Sequence, residues 1–313
     1  MTRTLKTLTR TQGNNYAIKQ GDLQPEGFRF EFEEVNPLPK GFRRMVRNLD
    51  FDVSEMALTT YLCAREHGVR FTALPIFLVR EFHHGAILHN RLAGFRHPKD
   101  LEGQRVGVNR GYTVTTGVWA RAILEQEYGV DLDSITWVLS GDEHVSAWQA
   151  PGNVVPLEPG LNMEEELASG RLPAAIGVKV DHPEVETLIP NAYDISLKAL
   201  KETGLYPINH LMVIRDDVLA EYPEVGKAVF DTFVESKTQY LSQLNAGLWA
   251  HPFLTDQLHR DVTPILGDPL PYGIEPNRPM LELLVSQALS QGILTRKVSV
   301  DEVFAASTRH LTG

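Results

Sequence analysis

The alternation of strand-like and helix-like segments in the first eighty residues constrains this chain more than any other feature. Phe28, Phe30 and Phe32 alternate with Arg29, Glu31 and Glu33, a period of two that predicts a strand with one covered face. Leu5 to Thr9 predicts another strand, and Tyr16 to Gln20 a short helix behind the turn Gly13-Asn14-Asn15. Phe42 to Leu49 reads as helix and Phe51 to Val53 as a short strand. Ser54 is then expected to cap a helix that stops at Gly68. Phe71 to Leu78 is an apolar run of the kind a strand buried on both faces presents. This β-α-β order predicts a largely parallel sheet covered by helices.

The middle of the chain repeats the pattern. Strands are expected at Ala86–Leu88, Arg105–Val108, Ile135–Leu139, Ala174–Val178 and His210–Ile214, and helices at Thr116–Tyr128 and Met163–Ala168. Gly141 to Gly160, rich in Pro, Gly and Asn, reads as a loop. From Val218 to Leu311 the pattern is mostly helical, broken by PILGDPLPYGIEPNRP. At 313 residues the chain suits two α/β lobes. The expected division is 1–80 with 208–313, and 81–207, with crossovers near Arg80 and Pro207. Such crossovers would gather Arg80, His83, His84 and His210 at one hinge and cleft, where ligands of these folds bind.

Composition narrows the partners. Hydrophobic residues make up 42% and charged residues 22%, and the formal net charge is −10. That field excludes nucleic acid as a natural partner and requires a local basic site for any anionic ligand. The single cysteine, Cys63, sits in a helical pattern and reads as a buried thiol. No apolar run is long enough to span a membrane, and the amino terminus has no signal-like core, so a cytoplasmic location is expected. Self-association into a homo-oligomer is left open.

Two motifs carry the chemistry. VREFHHGAILHN (Val79–Asn90) sets an arginine and two histidines at the end of an apolar strand. RVGVNRGYTVTTGVWARAIL (Arg105–Leu124) reads as strand, glycine turn and helix, an arrangement that offers backbone N–H groups to an anion. Together they point to a carboxylate-bearing ligand. Arg80 is the candidate clamp, since its planar fork matches a carboxylate. His84 is the candidate acid or base, with His83 facing the other way on a strand, and His210 stands at the return crossover. Arg110, Tyr112, Thr113 and Thr115 form the turn, where simple capping competes with ligand binding. Ser54 and Glu55 follow a strand end. Tyr272 and Glu275 lie in a proline-rich loop, with Glu275 a candidate base. His83, His84 and His89 lack the spacing of a helical metal motif, so no metal is expected.

At these residues the chain resembles the 4,5-dihydroxyphthalate decarboxylase family. The likeness rests on FRRMVRNLDFDVSEMALTTYL, the Arg80–His84 segment, YPINHLMVIRDDV and PYGIEPNRPMLE. The same order of elements recurs in NMT1/THI5-like solute-binding proteins. The resemblance implies a two-lobed periplasmic-binding-protein type II fold with a ligand cleft between lobes. It also implies cofactor-independent loss of CO2 from a hydroxylated aromatic diacid. The chain departs from the family pattern at Asn109-Arg110-Gly111-Tyr112, at His83 and at Ala174–Pro183. A solute-binding protein that captures an aromatic carboxylate for uptake is the alternative expectation.

Overall fold

The computed structural model describes residues 2–313. The strands are β1 (Arg3–Leu8), β2 (Phe28–Phe32), β3 (Val53–Ala57), β4 (Phe71–Arg80), β5 (Ile87–Asn90), β6 (Arg105–Val108), β7 (Thr136–Leu139), β8 (Val154–Pro156), β9 (Ala174–Ile176), β10 (Val185–Thr187) and β11 (Ile208–Arg215). The helices are α1 (Tyr16–Gln20), α2 (Leu38–Asn48), α3 (Leu58–Glu66), α4 (Thr115–Tyr128), α5 (Met163–Ala168), α6 (Ala192–Thr203), α7 (Asp216–Glu221), α8 (Val225–Asn245), α9 (Asp256–Leu266), α10 (Arg278–Ser290) and α11 (Val300–Val303). Residues 1–80, 208–285 and 297–313 form one unit, and 81–207 with 286–296 the other. Ser286–Arg296, expected with the first unit, groups with the second.

The sheet of the first unit has the order β2-β1-β3-β11-β4. β1 pairs in parallel with β2 and β3, whereas β11 is antiparallel to both β3 and β4. The expected parallel sheet is therefore mixed. β3 and β4 run the same way through α3, and β11 fills the gap between them in the opposite sense. Ser54 does not cap a helix. Val53–Ala57 is strand and buried throughout, and α3 starts only at Leu58. Pairing with β1 and β11 on both sides overrides the local capping signal. β4 breaks register on either side of His210, and the wider break spans Pro75, which has no N–H for the ladder. The Leu78 carbonyl within that break accepts from Asn14 Nδ2 at 3.0 Å.

The second unit has the order β10-β5-β9-β6-β7-β8. β6 is parallel to β7 and β9, and β7 to β8; β5 is antiparallel to β9 and β10. β8 lies inside the segment expected to be a loop. It is an edge strand ending in Pro156, a place where a missing N–H costs little. Behind the sheet, α5 packs Met163 and Leu167 against Val138, Leu172, Ala175 and Val178. Gly107 in mid-β6 permits this, since a Cβ there would lie 2.7 Å from Leu172 and 2.9 Å from Ala175. Among the described residues no helix is long and apolar enough to cross a membrane.

Candidate functional site

On the first unit, the centre of the sheet carries an acid–imidazole pair. His210 lies opposite Ala57, and Glu55 opposite Met212, so Glu55 and His210 are diagonal neighbours on one face. His210 Nδ1 is 2.6 Å from Glu55 Oε1. The other carboxylate oxygen accepts from Thr9 Oγ1 at 2.7 Å and from the Arg10 N–H at 3.2 Å. Burial alone would raise the Glu55 pKa. His210, the Arg10 guanidinium and the Thr9 hydroxyl outweigh it and hold the carboxyl below its ordinary range. The Glu55 side chain is fully buried, while that of His210 keeps 18% of its surface. The imidazole packs edge-on against Phe42, with centroids 5.2 Å apart. The carboxylate orients the imidazole through Nδ1 and leaves Nε2 outside this contact.

The neighbouring expectations are corrected. Arg80 is buried, and its Nη2 donates to the Pro271 carbonyl at 3.3 Å and to Asn277 Oδ1. At least part of the expected carboxylate clamp is thus engaged by the 271–277 loop. Tyr272 has no exposed surface, and its hydroxyl accepts from Asn14 Nδ2 at 3.2 Å. Burial pushes its phenol pKa up, and the Lys237 ammonium lies 4.7 Å from its ring centroid. It is a packing residue. Ser54 is buried, and its hydroxyl donates to the Glu55 carbonyl at 2.7 Å. Glu275 is exposed and paired with Arg278 at 3.2 Å, which holds its carboxyl below the usual range. A solvated, stabilised carboxylate is a poor base.

On the second unit, His84 is buried with both ring nitrogens engaged. Nε2 lies 2.9 Å from Glu127 Oε2, and Nδ1 2.8 Å from Ser196 Oγ. The order Ser–His–Glu matches a hydrolytic relay, but Ser196 is buried and its hydroxyl also lies 2.7 Å from the Ala192 carbonyl. His84 is therefore corrected from proton donor to a residue that ties α6 to α4. His83 is buried as well. His89 sits 3.5 Å from Glu186, apart from both. Among the described residues no group of three or more His, Cys, Asp or Glu is disposed to hold a metal ion.

The turn between β6 and α4 is built as a cradle. Asn109 Nδ2 donates to the Gly177 carbonyl at 2.7 Å, and the Arg110 N–H to Ser140 Oγ at 2.7 Å. Arg110 itself is exposed and adopts φ 69°, the left-handed region that a non-glycine residue enters at a cost. The residue before α4 is Val114, which supplies no side-chain cap. A carboxylate from elsewhere takes that place. Glu143 accepts from the Tyr112 N–H, from the Thr113 N–H at 3.3 and 3.4 Å, and from Thr113 Oγ1 at 2.6 Å. Burial raises the Glu143 pKa, against the pull of these donors and of Arg121. Thr115 is buried at the first position of α4.

Arg121 stands behind this turn with no exposed surface. Its Nε donates to Gln291 Oε1 at 2.8 Å and its Nη2 to the Tyr112 carbonyl at 2.7 Å. Its guanidinium carbon lies 3.7 Å from the Tyr112 ring centroid, and Trp148 stacks on that ring at 5.7 Å. Sequence reasoning missed Glu143 and Arg121 and gave Glu55 no partner. The only available signal was that Arg121 falls on an otherwise apolar helical stripe.

The class of this molecule follows from its architecture. It is similar to the periplasmic aliphatic sulphonate binding protein SsuA of Escherichia coli, with a TM-score of 0.54, 10% identity and 99% of each chain covered. It is also similar to a Candida albicans protein with the generic periplasmic binding protein fold, with a TM-score of 0.53, 13% identity and coverage of 99% and 98%. The chain thus has the periplasmic-binding-protein fold. No family model matches the sequence. A 4,5-dihydroxyphthalate decarboxylase of Comamonas testosteroni is 28% identical over 302 residues, 91% of each chain. One of Pseudomonas putida is 31% identical over 193 residues, which are 56% of this chain and 74% of that protein. The chain belongs to the 4,5-dihydroxyphthalate decarboxylase family.

Proposed function

We propose that this protein is a cofactor-independent carbon–carbon lyase that removes one carboxylate from a hydroxylated aromatic dicarboxylic acid such as 4,5-dihydroxyphthalate. The observation that carries the reading is the Glu55–His210 pair, met in a chain whose relatives bear that name. A hydroxyl para to the departing carboxylate pushes electron density onto the ring carbon that bears it. His210, as imidazolium, delivers its Nε2 proton to that carbon. The carbon–carboxylate bond then breaks, its electron pair returns to the ring, and CO2 leaves. Neutral His210 recovers its proton from solvent. Glu55 keeps the ring oriented and stabilises its charged form throughout.

The test is incubation of the purified chain with 4,5-dihydroxyphthalate, following CO2 and the aromatic mono-acid. Phthalate, which lacks the hydroxyl, should bind without turnover. Tight binding of hydroxylated acids with no CO2 across a broad panel would sink the enzyme reading and favour capture of an aromatic carboxylate for uptake.

A further inference from the structure

The Tyr112–Thr113 turn binds a carboxylate, and that carboxylate is the protein's own. Four features make it a built site rather than a bare helix end. Two consecutive N–H groups and one hydroxyl converge on Glu143 from a segment thirty residues earlier in the chain. Gly111 leaves the room: a Cβ there would fall 2.4 Å from Glu143 Oε2. Val114, the residue before α4, gives that helix no side-chain cap. Arg121, fully buried behind the turn, has an Nη1 with no hydrogen-bond partner and no carboxylate bonded to it.

The last feature decides the charge preference. A buried guanidinium without a bonded anion is costly, and its field lowers the energy of any anion held just beyond it. Glu143 feels that field, since Arg121 is among the groups that pull its pKa down. Glu143 reaches the turn from a loop rich in exposed residues between β7 and β8. Its burial works against its ionised form. A carboxylate from a ligand offers the same donors the same charge.

We propose that this turn is the seat for a ligand carboxylate and that Glu143 is its intramolecular competitor, which the ligand must displace to bind. The proposal deepens the functional reading above and rests on its premise that the ligand is an aromatic carboxylate. It does not rest on decarboxylation. The apparent affinity of such a site is the intrinsic affinity reduced by the fraction of molecules whose seat is vacant. If Glu143 fills the seat in nine molecules of ten, its removal tightens binding about tenfold.

The experiment titrates the full-length protein with phthalate, which has both carboxylates but no activating hydroxyl, by calorimetry. Glu143→Ala is expected to bind phthalate about tenfold more tightly than the unaltered chain. Glu143→Gln, which keeps the shape and loses the charge, should bind with intermediate affinity. Gly111→Ala added to Glu143→Ala should abolish the gain, because its methyl group fills the seat. A thermal melt of each variant verifies the fold, and Glu143→Gln serves if Glu143→Ala does not fold. Affinity that is unchanged or weaker in the Glu143 variants, or no phthalate binding by them, overturns the proposal. CO2 release from 4,5-dihydroxyphthalate by the unaltered chain is scored separately. Turnover without tighter binding sinks the competitor alone, and tighter binding without turnover sinks the decarboxylase reading alone.

Discussion

His210 keeps a small exposed surface and is supported from behind by a buried carboxylate, and that asymmetry sets what its replacement should do. His210→Asn is expected to lower kcat on 4,5-dihydroxyphthalate by about 10²–10⁴-fold while leaving phthalate affinity within a few-fold. Glu55→Gln should cost turnover in the same range, because the amide neither fixes the Nδ1 proton nor stabilises the imidazolium. Steady-state kinetics with parallel binding measurements check both, and turnover near that of the unaltered chain in His210→Asn would remove it from the mechanism. His210 was legible in the sequence because it follows Pro207 at the return of the chain. Its partner was not, since Glu55 lies 155 positions away and only strand pairing brings the two together. His84 illustrates the opposite failure. Its adjacency to Arg80 suggested chemistry, but Ser196, 112 positions on, and Glu127 saturate the ring.

Among elements, α8 and α9 hold a titratable contact that should appear in the pH dependence of stability. His259 on α9 is buried, and burial pushes its pKa down to about 4. Its Nδ1 lies 2.8 Å from the Tyr240 hydroxyl of α8, which bonds Asp256 Oδ1 at 2.7 Å. With the hydroxyl proton directed to the carboxylate, Nδ1–H donates to the phenol oxygen and the neutral ring suits the site. The folded-state pKa is depressed, so an unfolded chain takes up this proton first as pH falls. The contribution is complete above about 6.5 and is lost between there and about 4. Urea unfolding should show roughly 3 kcal/mol of loss over that window from this group. His259→Gln should flatten that part of the profile, and an unchanged slope would refute the assignment. Elements with strong periodicity, such as β2 and β4, were readable in the sequence. β3 was readable only in part: a strand was expected at Phe51–Val53, but Ser54 offered a capping signal and 53–57 has no alternation, so its run to Ala57 shows only in the burial of both faces. β8 was hidden for the related reason that three residues at a sheet edge leave no pattern.

For the whole molecule, net charge and local chemistry pull in opposite directions. A chain of formal charge −10 repels a dicarboxylate at long range, whatever short-range attraction the proposed seat at the Tyr112 turn supplies. Association should therefore quicken with added salt, by a few-fold between about 0.01 M and 0.15 M, as the Debye length contracts from roughly 30 to 8 Å. Stopped-flow fluorescence of Trp148, stacked on Tyr112, gives the readout; a rate that falls with salt would place a steering cation outside the groups described. The fold was legible at this scale because β-α-β alternation spans both units, and the mixed sheet was not, because β11 comes from so far along the chain. The position of β11 also has a consequence during synthesis. β3 and β4 leave the ribosome with the strand that must lie between them still unmade, and all of residues 81–207 are translated before it appears. At ordinary elongation rates that interval lasts roughly 6 to 25 seconds. Two strand edges stand open to pairing with other chains for that time, until Ile208–Arg215 emerges and closes the sheet.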